Sequence, residues 1–513
     1  MNTLRRILLG LCLALLAASP VVAAEKSIVI GLSSDTLFLD PQQQKETITN
    51  AICRHFYETL LAKTPDNSQL VPVLAESWEL APDQGAWIFH LRKAVKFSDG
   101  TPFTAEDVQF TVERARGNHH KDLISTVKEV QIVDAHTAKF VTHAPDGVLL
   151  DKIAQLPIMS KAYTTRVGND EVNLKPMGTG PYLCTAWVKE DHISFVANPN
   201  YWGKQPPIRN VRFRPITNAA TRTAALLSGE LDLTEDIPVR DIARVTAAKG
   251  IDVVSRMGNR LIYLHIDGTR SPTPAINLPV NPMTDVRVRR AISMAIDRET
   301  IVKVTMNNNG YPTGQMVLPG QRGNIPGMAL PAYDPEKAKQ LLKEAGYEKG
   351  FTVKLDAPNG RYPNDAQIAQ AIAAQLAKIG VTVDLMLHPK SVFFDYVRPG
   401  DKSSLVMTGW ADEVDAGALG NVLFYSRGKN PAKGGSNRCF YANAEYDKLL
   451  DDADATADVS RRKELLEKAS RVILDDVGII PILFNQDVYG KKSTVKFTPR
   501  VDKQIHAYTL DSE

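Results

Sequence analysis

The sequence predicts an α/β protein with at least two lobes, and three observations support this. With 513 residues, of which 43% are apolar, the chain exceeds the roughly 250–300 residues that one hydrophobic core usually supports. Residues 334–410 alternate helix and strand signals, which is typical of a parallel sheet covered by helices. The first part of the mature chain mixes strand and helix signals as well.

Residues 1–24 have the three parts of an export signal. Arg5 and Arg6 precede an apolar run over residues 7–18, and small residues lead up to Ala24. Because the run is shorter than the roughly 20 residues that span a bilayer, we expect cleavage after Ala24 and a periplasmic product.

Composition argues against several other classes of protein. A net charge of +3 gives no sign of a nucleic-acid surface. Outside the signal, Cys53, Cys184 and Cys439 allow at most one disulfide, and none has the spacing of metal ligands. The adjacent His119 and His120 have no evident third ligand, so we expect neither a metal site nor a cofactor.

The elements near the start of the mature chain follow from local patterns. Ser27–Leu32 has strand composition, and residues 78–80 and 87–91 flank a turn, which predicts a hairpin. Thr104 and Asp107 form a capping-box pattern that begins a helix.

The middle of the chain contains an irregular segment followed by a helix. Residues 268–282 carry four prolines, which oppose both helix and sheet, and we interpret this segment as a crossing between lobes. Asp285 then caps a helix with one apolar face; this face contains Val288, Ala291, Ile292 and Ala295.

Residues 334–410 predict the most regular part of the fold. Asp334 and Pro335 begin a helix that ends near Gly346. Beyond it we expect strands at residues 351–357, 381–387 and 404–410. A helix striped by Ile368, Ile372 and Leu376 joins the first two strands, and a short aromatic helix at residues 393–396 precedes the third.

In such sheets, ligands bind beyond the carboxyl ends of the strands. Arg361 follows the first of these strands, and Trp410 ends the third. The carboxylates that follow Trp410 are Asp412, Glu413 and Asp415. The pattern is compatible with a crevice lined by these groups and equally with a solvated surface loop.

Several motifs resemble the dipeptide, oligopeptide and nickel solute-binding family (family 5). Residues 70–78 read Leu-Val-Pro-Val-Leu-Ala-Glu-Ser-Trp, and residues 89–108 contain Phe-Ser-Asp-Gly-Thr-Pro-Phe-Thr-Ala-Glu-Asp-Val. Further matches, in the order of the family, are residues 178–182, 198–203, 285–292 and 333–338.

The resemblance implies a class II periplasmic binding protein fold, with two lobes, an inserted subdomain in lobe I and a second hinge crossing near residues 485–490. It implies a monomer that captures a small peptide-like ligand and delivers it to the permease of an ABC importer. The implied divisions are a signal (1–24), lobe I parts (25–58, 179–268 and 485–513), the insert (59–178) and lobe II (269–484).

The resemblance also implies ligand-binding residues. In dipeptide-binding relatives an acidic residue after a Gly-Trp pair holds the ligand's ammonium, and an arginine holds its carboxylate. Asp412 and Arg361 occupy similar places here. The spacing of the acidic loop departs from the peptide pattern, so the choice among Asp412, Glu413 and Asp415 stays open. Trp410 either stacks on the ligand or fills core.

A second loop, residues 434–438 followed by Tyr441, resembles one found in a branch of the family. Asn437 and Arg438 in this loop either reach the cleft or only pack on lobe II.

Two alternatives remain open at this stage. A secreted hydrolase would also place carboxylates in a cleft, although the chain has no serine elbow, zinc helix or phosphate loop. A receptor for another solute, such as a metal chelate, haem, or an opine- or sugar-like compound, is the other alternative.

Overall fold

A computed structural model describes residues 25–43, 46–411 and 414–512. The predicted export signal, Asp412 and Glu413 lie outside the described residues. The strands are β1 (Ser27–Leu32), β2 (Leu61–Lys63), β3 (Leu70–Pro72), β4 (Ala75–Leu80), β5 (Ala86–Leu91), β6 (Val127–Asp134), β7 (Thr137–Thr142), β8 (Tyr182–Val188), β9 (His192–Ala197), β10 (Asn210–Pro215), β11 (Leu233–Thr234), β12 (Ile251–Ile266), β13 (Gly310–Pro312), β14 (Phe351–Asn359), β15 (Val381–Pro389), β16 (Leu405–Ala411), β17 (Ile479–Lys492), β18 (Val495–Lys496) and β19 (Asp511–Ser512).

The helices cover both the first and the second part of the chain. They are α1 (Thr47–Cys53), α2 (Ala105–Arg116), α3 (Leu149–Ile153), α4 (Lys161–Leu174), α5 (Ala219–Leu227), α6 (Ile242–Thr246), α7 (Val286–Met294), α8 (Arg298–Thr300), α9 (Pro335–Glu344), α10 (Asp365–Ala377), α11 (Phe393–Val397), α12 (Ala416–Leu423), α13 (Ala444–Asp454) and α14 (Val459–Asp475). Short 3-10 or π turns occupy Val239–Asp241, Pro282–Thr284, Ile301–Thr305 and Ala507–Thr509.

In the described part of the chain, eleven strands form one sheet in the order β15-β14-β16-β12-β17-β11-β1-β10-β9-β8, with β13 paired to β17. Strand β14 is parallel to both β15 and β16. Helix α10 connects β14 to β15, as the strand, helix, strand pattern predicts. The predicted α/β class is therefore confirmed.

The long strands β12 and β17 join two halves of the molecule. They pair antiparallel, with a register shift between Met257 and Leu261. Up to Met257, β12 pairs only with β17, whose end also pairs with β11; from Arg260 onward, β12 pairs with β16 as well. We call residues 25–257 and 486–512 the first half, and residues 260–484 the second half.

The proline-rich segment expected to cross between the lobes packs within the second half. Ile276 and Leu278 of this segment pack against the core of the second half, and Asn277 Oδ1 accepts a hydrogen bond from the Thr352 N–H (2.8 Å). The chain passes between the halves inside β12, near residues 258–260, where the pairing with β17 shifts register and the pairing with β16 begins.

Each half has its own hydrophobic cores. In the first half, the four-stranded sheet β4-β5-β7-β6 packs against α2 around Phe89, Phe140 and Val108. In the second half, β14 and β16 pack against α7, α9 and α10, and α12 to α14 cover another core. The separate cores explain why a chain of this length folds as more than one body.

The predicted helix caps are present. Thr104 and Asp107 form a capping box at the start of α2. The side chains of Asp285 and Asp334 cap α7 and α9, and Gly346, just after α9, has a φ of +89°. That left-handed conformation favours glycine and ends the helix where the sequence predicts.

Cys53, Cys184 and Cys439 are free thiols. Across residues 25–43, 46–411 and 414–512, no group of His, Cys, Asp and Glu side chains is placed to hold a metal ion. No helix within these ranges has the length and apolar character needed to cross a membrane.

Candidate ligand-binding cleft

A cavity of about 1140 Å³ lies between the two halves. Its first-half wall includes Tyr57, Trp202 and Tyr508, and its second-half wall includes Arg361 and Trp410. The sheet positions both second-half residues: Arg361 lies just beyond the carboxyl end of β14, and Trp410 lies near the carboxyl end of β16. This is the edge at which open α/β sheets bind ligands.

The loop that carries Arg361 is held by the carboxylate of Asp365, the first residue of α10. This carboxylate accepts backbone N–H hydrogen bonds from Gly360 (2.9 Å), Arg361 (2.7 Å) and Tyr362 (2.9 Å). Three bonds to one carboxylate fix the backbone of the loop. The base of the Arg361 side chain is thereby positioned at the cavity.

Tyr362 ties this loop to β16. Its buried phenol donates a hydrogen bond to the carbonyl oxygen of Gly409 (2.9 Å). A Cβ added at Gly409 would lie 3.0 Å from the Tyr362 ring and 2.7 Å from Ile262. A side chain at position 409 would therefore displace Ile262 and the Tyr362 ring from their present positions against the strand.

Three arginines and two rings form what we call the arginine–aromatic cluster: Arg260, Tyr362, Arg361, Phe394 and Arg438. The Arg260 and Arg361 guanidinium carbons lie 5.6 and 5.5 Å from the Tyr362 ring centre. Those of Arg361 and Arg438 lie 5.8 and 5.4 Å from the Phe394 ring centre. Burial lowers the pKa of Arg260, and the positive charge of Arg361 lowers it further.

Arg438 is only 5% exposed, yet it lines the cavity. Its Nη1 donates to the carbonyl oxygen of Ser436 (3.3 Å) and lies 3.5 Å from His265 Nε2. Burial, with the nearby Arg438 charge, holds the pKa of His265 well below its usual range, so this imidazole is neutral. Arg438 Nε has no hydrogen-bond partner among the described residues.

Asn437 lies beside Arg438 but is not among the residues that line the cavity. It is fully buried, donates from Nδ2 to the Tyr441 carbonyl oxygen (2.7 Å) and accepts from the Tyr441 N–H at Oδ1 (3.0 Å). These bonds close the loop that presents Arg438. In this structure Asn437 supports the loop and does not face the cleft.

Asp415 is also absent from the cavity wall. Its buried carboxylate accepts from Arg322 Nε (3.1 Å) and Arg462 Nε (2.9 Å), and it caps α12 through the N–H groups of Gly417 and Ala418 (3.0 Å each). Burial alone would raise the pKa of Asp415, but Arg462 and Arg322 lower it to about 2. Asp415 is therefore saturated by protein groups. The other two acidic candidates, Asp412 and Glu413, lie outside the described residues.

The family of this chain is shown by its sequence. The sequence model described as "Bacterial extracellular solute-binding proteins, family 5 Middle" matches residues 69–431. The chain belongs to this family. It is a solute-binding protein, and the family resemblance of its motifs is confirmed.

Two similar proteins and one solved structure extend the comparison. The chain is 30% identical to the dipeptide-binding protein of Escherichia coli (strain K12), over 98% of this chain and 95% of that protein. It is 28% identical to the glutathione-binding protein GsiB of Salmonella choleraesuis (strain SC-B67), over 91% and 90% of the two chains. The structure of HbpA2 from Haemophilus parasuis superposes with a TM-score of 0.84 at 24% identity, over 95% and 100%. The two-lobed binding-protein fold is thereby confirmed.

The Trp410 side chain of this solute-binding protein contacts both the cavity and a hydrophobic core. It is partly exposed, lines the cavity and also packs against the hydrophobic core beneath α12 to α14. Packing against the core, one of the two alternatives for Trp410, is therefore observed, and contact with a ligand stays a prediction.

Several cavity residues were not singled out by sequence reasoning. Glu58 accepts from the Tyr201 hydroxyl (2.8 Å) and Trp202 Nε1 (2.7 Å), and burial raises its pKa. Tyr201 and Trp202 lie in the motif at residues 198–203, so a signal for them was available. No sequence signal was available for Arg260, because only the pairing of β12 with β16 brings this residue to the cleft.

Proposed function

We propose that this solute-binding protein is exported to the periplasm, captures a small peptide-like solute between its halves and delivers it to the permease of an ATP-driven importer. The observation that carries the proposal is the arginine–aromatic cluster, because it presents Arg361 at the carboxyl ends of two parallel strands in a cavity walled by both halves. The two relatives described above, a dipeptide-binding protein and a glutathione-binding protein, support a peptide-like ligand.

Charge-assisted hydrogen bonds suit capture in such a cleft. A peptide loses hydration when the cleft excludes water, and a guanidinium that forms a bidentate pair with its terminal carboxylate compensates for that loss. In the proposed site Arg361 binds this carboxylate, Trp410 and Phe394 contact the apolar parts, and Arg438 adds a further positive charge. Asp412 and Glu413 remain the candidates for the ligand's ammonium group.

The proposal includes binding without chemical change. Purified protein incubated with a bound peptide should return it intact, as measured by liquid chromatography and mass spectrometry. Release of amino acids in proportion to time would instead support the hydrolase alternative.

Identification of the bound solute tests the proposal most broadly. Native mass spectrometry of protein purified from the periplasm should detect a stoichiometric adduct, and calorimetry with the identified compound should give saturable binding. Recovery of a metal chelate, haem, or an opine- or sugar-like compound as the adduct would replace the peptide in the proposal.

The purified mature chain should begin at Glu25; retention of residues 1–24 would contradict export by cleavage.

A further inference from the structure

We propose that the cleft selects peptide-like solutes with at least two carboxylates, and that Arg438 binds the second carboxylate beside Arg361. This inference rests on the proposed function and specifies its ligand class.

The described cavity wall is rich in positive charge. It contains seven Lys and Arg side chains and three Asp and Glu side chains. The cations are Arg54, Lys63, Arg260, Arg361, Arg398, Arg438 and Arg500; the acids are Glu58, Asp122 and Asp502.

Other cations of the wall are occupied by protein groups. Arg500 pairs with Asp502 (2.5 Å), Lys63 with Asp151 (3.0 Å) and Arg398 with Asp395 (3.5 Å). Arg54 donates to Thr59 Oγ1 (2.8 Å) and to the Ala154 carbonyl oxygen (2.7 Å).

The three arginines of the arginine–aromatic cluster differ from these. Within residues 25–43, 46–411 and 414–512, none of Arg260, Arg361 and Arg438 has a carboxylate at ion-pair distance. The nearest groups that compensate their charge are the two rings, and a cation over a ring gains much less than a cation paired with a carboxylate. Three neighbouring positive charges that lose water on closure therefore favour a ligand with more than one negative group.

Arg438 is the best placed of the three to take a second carboxylate. It is 5% exposed, faces the cavity, and retains an Nε–H without a partner among the described residues. It shares the Phe394 ring with Arg361, so both guanidiniums reach one ligand. The charges of Asp487 and Asp236, by contrast, partly offset that of Arg260.

Calorimetry with matched peptides tests this inference. Di- and tripeptides that differ only by Glu or Gln at one position would be titrated into protein freed of copurified solute. We expect the best Glu peptide to bind roughly tenfold or more tightly than its Gln partner. In Arg438→Gln this preference should fall to within about twofold, whereas total loss of folding would be recognised by circular dichroism.

Two further variants make the result specific. Arg427 stacks on Phe440 (4.9 Å) outside the cavity, so Arg427→Gln should keep the full preference. Arg438→Lys keeps the charge without the planar fork and should retain part of the preference; it also decides the matter if Arg438→Gln fails to fold.

The outcomes separate this inference from the proposed function. Equal affinity of Glu and Gln peptides, with clear binding of both, would overturn the two-carboxylate inference and leave the peptide receptor intact. Absence of binding by every peptide would overturn both. Tighter binding of phosphorylated compounds than of any Glu peptide would show that the second anionic group is not a carboxylate.

Discussion

Two groups of arginines lie at the boundary between the halves, and they differ in their partners. Arg322 pairs with Asp151 of the first half (2.5 Å) and with Asp415 of the second half (3.1 Å), and Arg462 pairs with the same Asp415. In the arginine–aromatic cluster, the guanidiniums face rings and the cavity. Burial does not separate the groups, because Arg438 is 5% exposed and Arg462 is 1% exposed.

Pairing distinguishes the two groups. A buried guanidinium that a carboxylate already satisfies has little left to offer a ligand, and removal of that carboxylate leaves a buried charge uncompensated. The desolvation cost of a guanidinium that lines a cavity without a carboxylate partner is not compensated until an anionic solute binds. We therefore propose that the Arg322–Asp415 network joins elements of the fold and that the arginine–aromatic cluster binds the ligand.

The largest expected effect is a loss of stability when Asp415, the carboxylate that pairs with Arg322 and Arg462, is changed. Asp415→Asn keeps an oxygen that can cap α12 but removes the charge that satisfies Arg322 and Arg462. We expect a loss of about 3–5 kcal/mol in the free energy of unfolding of the second half, measured by urea titration. Asp395→Asn, which breaks an exposed pair with Arg398, should change it by less than about 1 kcal/mol. A similar small change in Asp415→Asn would contradict the structural role.

The second effect is a loss of ligand affinity when Arg361 of the arginine–aromatic cluster is changed. Arg361→Ala should weaken binding of the copurified solute by about 2–5 kcal/mol, measured by calorimetry, because a carboxylate would be buried without its partner. The free energy of unfolding should stay nearly unchanged, since the side chain is exposed. Arg427→Ala serves as the control, and unchanged affinity in Arg361→Ala would remove Arg361 from the site.

Acid should remove the contribution of ionised Asp415 to stability over a defined pH range. The pKa of Asp415 is lowered from 3.8 to about 2 in the folded protein, so its ionised form stabilises the fold above about pH 4. That contribution, roughly 2 kcal/mol, is lost as the pH falls toward about 2. The difference in unfolding free energy between wild type and Asp415→Asn should therefore narrow by roughly 2 kcal/mol over this range; a constant difference from pH 5 to pH 2 would contradict the assignment.

The smallest effect concerns the ring between two cluster arginines. Phe394→Leu keeps apolar bulk but removes the π face under Arg361 and Arg438, so affinity should fall by about 0.5–2 kcal/mol in calorimetry. Val392→Ala, at an exposed neighbouring position, should have no effect. If the two variants behave alike, the ring contributes only packing.

The sequence predicted the parts of this molecule that depend on nearby residues. Asp334, Pro335 and Gly346 define the ends of α9, and the alternation around Ile368 and Ile372 predicts α10 between parallel strands. These signals are local because caps and amphipathic faces involve residues only a few positions apart.

The roles of the charged residues could not be predicted in the same way. Arg322 and Arg462 lie 93 and 47 positions from Asp415 in the sequence, and no local pattern indicates that both reach it. Arg260 is about a hundred residues from Arg361 and meets it only through sheet pairing. Which carboxylate or guanidinium is already satisfied is therefore a property of the folded molecule.

A crystal structure of the protein with its copurified solute tests the central assignment most directly. We expect the solute in the cavity between the halves, with one carboxylate within hydrogen-bond distance of the Arg361 guanidinium and Asp415 still bound to Arg322 and Arg462. A solute that contacts only one half, or one whose carboxylates all point away from the arginine–aromatic cluster, would contradict the account.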